Sequence, residues 1–332
     1  MGRYVIRRLL QFVPTLIGAF FLLHYIVVLG VQLRGNPARA FFGDKRPTEA
    51  MLEAVKRLYN TDDPCLTQTL NPCVGLFFER VQTLAQGDLG VDYNQRPVID
   101  TFVNAVPITL QLTLIAIVVQ IVIGLIAGML AGVRGGGISD YIVKVVTVLI
   151  IAVPVFVLGK LVQSSITPAA RYLNENGYSE AVRGVVTVTW RSDAPFMSLL
   201  IPGIVLGALG LATTARLTRT SLMENLRADY VRTAVAKGMP RRRVIGVHTL
   251  RNSLIPVVTD LGYSVGVLMG GAVVTETIFN IPGVGGEIIR AAQRNEAPIL
   301  ISMVTMLVLV YLVVNLIVDV LYAVLDPRIR YD

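Results

Sequence analysis

Six apolar runs, each about as long as a bilayer is thick, constrain this chain more than any other feature. They cover roughly 9–31, 108–133, 141–161, 197–217, 254–279 and 299–325. A helix needs about 20 apolar residues to cross a hydrocarbon core roughly 30 Å thick. A soluble fold does not need six such runs, because its helices bury one stripe and wet the other. Composition agrees. Of the 332 residues, 54% are hydrophobic and 16% charged, and the mean hydropathy is +0.64. An average soluble domain is about one quarter charged. The expectation is an all-α, polytopic membrane protein with six transmembrane helices.

The first run follows Arg3, Arg7 and Arg8. It is longer than the roughly 7–15 apolar residues of a signal peptide, and no small-residue cleavage site follows it, so it reads as a retained first helix. Basic residues near span ends remain in the cytoplasm. Segment 216–251 holds nine basic residues against two acids, and it shares the side of the three N-terminal arginines if each run crosses once. Both termini and the turn "RGGGISD" (134–140) are then expected in the cytoplasm. Segments 34–100, 169–196 and 280–298 are expected outside. The corresponding partition is a first segment and helix (1–32), an extracytoplasmic region (33–105) and a five-helix domain (106–332) carrying a cytoplasmic hairpin (218–253). Residues 47–60, "PTEAMLEAVKRLYN", have helical composition. Pro154 is expected to kink the third span and Pro256 the start of the fifth. Glycines at spacing four, Gly124, Gly128 and Gly132 and then Gly262, Gly266 and Gly270, mark two faces for close packing, within the chain or against a partner.

Cys65 and Cys73 lie eight residues apart. They are either independent thiols or a short-loop disulfide, and the latter needs an oxidising compartment. The two histidines, His24 and His248, lie far from this pair, which argues against a metal site. The chain has no phosphate loop, no H-E-x-x-H, no G-x-S-x-G and no carboxylate pair set for catalysis. Intramembrane ionisable residues are the default functional candidates. Arg216, Arg219, Asp260 and Asp319 fall near the cytoplasmic ends of their spans, where they read as a structural ion-pair cluster or a gate. Lys160 and Glu276 fall near the outer ends. Mid-span acids, which a proton- or sodium-driven carrier needs, are scarce, so energy is expected to enter from elsewhere.

The 230–251 segment is charged, helix-forming and interrupted by Gly238 and Pro240. It reads as helix, sharp turn, helix. Arg241, Arg242 and Arg243 would suit lipid headgroups. A glycine at a fixed place better suits a helix end that presents a defined shape to another protein.

Here the sequence resembles a known family, the oligopeptide and dipeptide permeases of ABC importers. ABC importer permeases carry the pattern E-A-A-x3-G-x9-I-x-L-P. Gly238 takes the glycine and Ala234 the second alanine, while Arg232 and Thr233 stand for the Glu-Ala pair. His248, Thr249 and Leu250 follow at the right spacing, and Arg251 replaces the proline. The departures are similar to the peptide branch, seen here as "DYVRTAVAKG" and "HTLRNSLIP". The resemblance extends to "RYVIRRLLQFVPTLIG", "GDLG", "ETIFNIPGVG" and "LYAVLDPRIRY", and the two ends look like the first, B-type, permease subunit.

The resemblance implies a type I importer permease fold in a bacterial cytoplasmic membrane. It implies docking of Tyr230, Thr233, Ala234, Lys237, Gly238, Arg241 and His248 on a cytosolic ATPase. It also implies partners: a second homologous permease subunit, two ATPase subunits that bind ATP and magnesium, and an extracytoplasmic binding protein or lipoprotein. The cargo would be oligopeptide or dipeptide. This chain itself would be non-catalytic, without a cofactor, in contact with lipid and not with nucleic acid. Nickel chelates, glutathione or sugars are cargoes of related branches. Outside the family, an ATPase-independent secondary carrier and a lipid-binding scaffold remain as other classes.

Overall fold

The computed structural model describes residues 2–34, 41, 48–49, 52–53, 55–56, 60–92, 96–294 and 296–325. The predicted helix over 47–60 lies in large part outside them, as does most of the terminal "LYAVLDPRIRY". Among the described residues the regular secondary structure is helical, apart from an isolated antiparallel bridge between Val91 and Pro97. In chain order the principal helices are α1 (Gly2–Arg34), α2 (Val74–Ala85), α3 (Val98–Val133), α4 (Ile138–Ala152), α5 (Val155–Glu175), α6 (Leu200–Asn225), α7 (Asp229–Ala236), α8 (Ile255–Ile278), α9 (Val284–Gln293) and α10 (Ala297–Leu325).

Among the described residues five helices are long and apolar enough to cross a membrane, and α4 with α5 makes a sixth if the pair counts as one span. This is the expected all-α arrangement of apolar helices, with one difference from expectation. The third run is not a single kinked span. It breaks at Val153–Pro154, and α4 and α5 diverge by 106°. Proline drives the residue before it toward extended geometry. Val153 obeys, with φ −96° and ψ 121°, and Pro154 caps α5 with ψ 140°. Pro256 behaves otherwise. It occupies the first turn of α8, where a missing N–H costs nothing.

The chain forms two compact units that do not follow its linear order. One comprises residues 1–108 and 282–332, the other residues 109–281. In the first unit α1 packs along α10, and α9 packs on α10. Most of α1 presents an aliphatic surface, including Ile6, Leu10, Val13 and Ile17. Its far end is covered. Val28 and Val31 are buried with Phe41, Leu66, Cys73 and Leu76. Gln32 pins the covering loop by donating to the Asn71 carbonyl at 2.9 Å and accepting from the Leu70 N–H at 3.0 Å. Cys65 and Cys73 are joined as a disulfide in that loop, with 5.7 Å between their α-carbons. His24 is buried, with a ring nitrogen 3.2 Å from the Cys73 carbonyl and an edge-on contact to Phe77. It is a packed side chain beside a cavity of about 90 Å³ that Glu79, Arg80 and Thr83 also line.

The second unit is held by glycine contacts between α3 and α6. A β-carbon on Gly207 of α6 would lie 2.6 Å from the Ala116 carbonyl oxygen of α3. Farther along, the glycines are on α3. A β-carbon on Gly128 would lie 2.6 Å from the Ala215 carbonyl oxygen, and one on Gly132 would lie 3.0 Å from Leu222. Close backbone approach substitutes for a hydrophobic driving force that lipid does not provide. The second glycine series behaves differently. Gly266 is buried, whereas Gly270 is exposed with open space where a β-carbon would go. At Gly270, then, the second series does not close a seam inside the chain.

Candidate functional site

The hairpin between α6 and α8 has its own small core. Helix α7 turns Val231 and Ala234 inward against Val244, with Met239 packed beside them. The helix ends in a two-bond left-handed cap. Gly238 has φ +74°, its N–H donates to the Val235 carbonyl at 2.9 Å, and the Met239 N–H donates to the Ala234 carbonyl at 3.3 Å. Nothing lies within 4 Å of a β-carbon built on Gly238, so the backbone angle and not packing demands glycine. Pro240 then caps the helical stretch Arg241–Arg243.

From Arg243 the chain enters a π-helical turn, Val244–Thr249, before it resumes α geometry at Leu250–Ser253 and continues into α8. The Thr249 hydroxyl donates to the Val244 carbonyl, five residues back, at 3.0 Å. Such turns cost regular hydrogen bonding and recur at functional positions. The hairpin is tied to α6 at two places. The Ser253 hydroxyl reaches the Ser221 carbonyl at 3.4 Å. The Tyr230 hydroxyl donates to Asn225 Oδ1 at 2.6 Å, and Asn225 in turn donates to the Ser221 carbonyl at 2.8 Å.

The expected docking residues therefore divide. Thr233, Lys237, Gly238 and Arg241 are exposed, as are Arg232 and Val235. Tyr230 is exposed but anchored. His248 is half-buried on the π turn. Ala234 differs from them: only 6% exposed, it belongs to the hairpin's core.

Of the expected ion-pair residues Arg216, Arg219, Asp260 and Asp319, the three in the second unit do not pair with one another among the described residues. Asp319 pairs with Arg8 at 3.6 Å in the first unit. Arg219 pairs with Asp140, whose carboxylate is fully buried and also takes Lys144 Nζ at 3.1 Å and the Gly136 N–H at 2.9 Å. Asp260 keeps a buried Oδ2 without a hydrogen-bond partner, and Arg216 is exposed. Of the two outer-end candidates, Lys160 is exposed and donates to Gln163 Oε1 at 2.9 Å. Glu276 is buried and accepts from the Thr109 hydroxyl at 2.6 Å.

Two polar residues of this unit escaped the sequence reading. Asp140 was hidden in a turn that reads as a linker, although an acid four residues before Lys144 in the first turn of a helix is a recognisable signal. Gln120 lies in mid-span on α3, fully buried, and donates to the Thr214 and Ser264 hydroxyls at 3.1 and 3.0 Å. Among the described residues no group of three His, Cys, Asp or Glu side chains is arranged to hold a metal ion.

Residues 120–331 match the family model described as binding-protein-dependent transport system inner membrane component. The chain is 36% identical to a di/tripeptide transport system permease protein of Pseudomonas aeruginosa, over the whole of both chains. It is 32% identical to a dipeptide transport system permease protein of Alkalihalophilus pseudofirmus, again over the whole of both. It is 33% identical to a glutathione transport system permease protein of Escherichia coli, with the same full coverage.

Proposed function

The chain belongs to the family of binding-protein-dependent transport system inner membrane components, and from that premise we propose that it is the permease subunit of an ATP-driven peptide importer, worked through its 229–253 hairpin. It is a multi-pass protein of the cytoplasmic membrane. Dipeptide and di/tripeptide permeases among its full-length relatives support peptide as the cargo. The partners in this reading are a second homologous permease subunit, two cytosolic ATPase subunits and an extracytoplasmic binding protein. ATP and magnesium bind on the ATPases, and this chain performs no catalysis. The termini and hairpin are cytoplasmic, and the disulfide loop is outside, where the bond can persist.

The observation that carries the reading is the construction of the hairpin. It is stiffened by its own core and a defined cap, tied to the end of α6 through Ser221 and Asn225, and continuous with α8. A displacement applied to its exposed outer face reaches two membrane helices together. That face mixes Arg232, Lys237 and Arg241 with the apolar Val235, a composition suited to a protein groove with an acidic rim.

Two measurements test this. In the reconstituted complete transporter, Val235→Glu should lower peptide-stimulated ATP hydrolysis by roughly tenfold or more, about 1.4 kcal/mol of coupling, with normal membrane insertion. Unchanged stimulation would remove the hairpin from the mechanism. Ala234→Glu is a poor probe, since it breaks the hairpin's own core. In liposomes holding this chain alone, no peptide flux is expected. Flux without an ATPase would establish a secondary carrier instead.

A further inference from the structure

Polar groups are unevenly distributed over the exposed faces of the second unit's helices. Beyond Gln111, helix α3 shows Leu114, Val118, Val122 and Leu130, and beyond Tyr141 and Lys144 in its first turns, α4 shows Val145, Val148 and Leu149. These aliphatic faces match hydrocarbon. Helix α8 shows a different stripe. Thr259, Tyr263, Val267, Gly270, Val274 and Thr277 are exposed at spacings of three and four, and so lie on one face. Helix α6 adds exposed Arg216 and Thr220, one turn apart.

The two helices run antiparallel in a register fixed at both ends. Ser253 meets Ser221, and a β-carbon on Gly271 would lie 3.0 Å from Leu206. Counting from either end places Asp260 level with positions 214–217, and so with Arg216. The two charges nevertheless do not pair. Among the described residues the Arg216 guanidinium has no hydrogen-bond or ion-pair partner, and Asp260 Oδ2 is buried without one. One turn along α6, Arg219 shows the alternative, bonded to a buried aspartate. Ionisable groups on membrane spans face a partner or a water-filled cavity, and those that face a cavity line solute paths.

We infer that Arg216 and Asp260 form a subsite for the charged ends of the cargo, the guanidinium receiving a carboxylate and the aspartate an ammonium group. This inference rests on the peptide reading above. Packed helix axes lie about 8–10 Å apart, and an extended dipeptide spans at most about 7 Å, so a zwitterion of that size fits between two such side chains. The planar guanidinium fork suits a carboxylate, and a carboxylate oxygen without a partner accepts from an ammonium group. The exposed Tyr263 and the open surface at Gly270 continue the same face away from the pair and leave room for side chains of varied size.

The test is a competition in proteoliposomes containing the complete transporter. Two labelled dipeptides of one sequence, one N-acetylated and so anionic with only its terminal carboxylate, the other C-amidated and so cationic with only its terminal ammonium, are offered together, and their uptake ratio is read. The binding protein is the same in every sample, so its preference cancels between variants. R216Q should lower the anionic-to-cationic ratio by roughly fivefold, and D260N should raise it by a similar factor, as expected for single charges at a partly wet site. Opposite directions are the signature, because a loss of packing would slow both peptides alike. T220E, which adds an acid one turn from Arg216, should lower the ratio even if R216Q fails to assemble. Ratios that stay fixed, or shift the same way in R216Q and D260N, overturn the subsite while peptide uptake itself persists. A wild-type transporter that moves no peptide overturns the cargo reading and the subsite with it.

Discussion

On the flank of α6 that faces α3 and α4, every close approach is filled. Backbone meets backbone at Gly207 and Gly128, and Arg219 closes on Asp140 with Lys144 and the Gly136 N–H completing the carboxylate's partners. Three residues from Arg219, the exposed Arg216 has no side-chain partner among the described residues, and Asp260 of α8 keeps a buried oxygen without one. One helix thus carries two arginines a single turn apart, in opposite conditions. Helix α6 has structure to maintain on one side and, on our reading, solute to receive on the other. A burial pattern that satisfies charges is a device of assembly, and one that withholds partners from them suits transient ligands.

Aspartate substitution should separate the flanks most clearly. Asp140→Asn leaves Arg219 without its buried counter-charge and should cost about 3–5 kcal/mol, the usual penalty for breaking a buried pair. Arg216→Gln removes an exposed charge and should cost at most about 0.5 kcal/mol. Unfolding of the purified protein in mixed micelles checks both values, and equal costs would erase the distinction. The glycines give a smaller version of the same contrast. Gly128→Ala places a β-carbon 2.6 Å from a backbone oxygen that cannot swing away, and should cost about 1–3 kcal/mol. Gly270→Ala enters open space inside a helix and should be neutral or gain up to about 1 kcal/mol. A large loss at Gly270 would mean that the α8 face is packed and not a path.

Much of this was legible from the chain alone, for physical reasons. Length and apolarity define a span because the bilayer sets both, so the runs around α1, α3, α6, α8 and α10 are plain. The hairpin is legible because a glycine with φ +74° followed by Pro240 ends a helix wherever it occurs. The break at Pro154 reads as a kink, because sequence shows the lost N–H but not whether neighbours hold the halves in line. The charge cluster fails for a geometric reason. Helix ends at one depth need not share a face, so Asp319 meets Arg8 while Arg219 meets a residue 79 positions away. Ala234 fits a docking motif by position, yet on a helix of 8 residues the inward face is decided by Val244, across the turn.

Gln120 offers the finest test, since it links the two flanks. Its amide nitrogen donates to Thr214 on α6 and to Ser264 on α8, while its Oε1 is buried without a partner. Two hydrogen bonds in a membrane interior do not add up to a large stabilisation: each averages only about 0.6 kcal/mol by double-mutant cycles, and an unpartnered oxygen subtracts from that. Ser264 already donates to the Leu261 carbonyl at 3.0 Å and is not stranded by the loss. Gln120→Leu preserves volume and should therefore change stability by about 1 kcal/mol or less. If micelle unfolding confirms that small value while peptide uptake falls severalfold, Gln120 serves to keep α8 in step with α6 during transport. If stability drops as far as for Asp140→Asn, the α8 flank is held as firmly as the other, and the contrast between them reduces to a single ion pair.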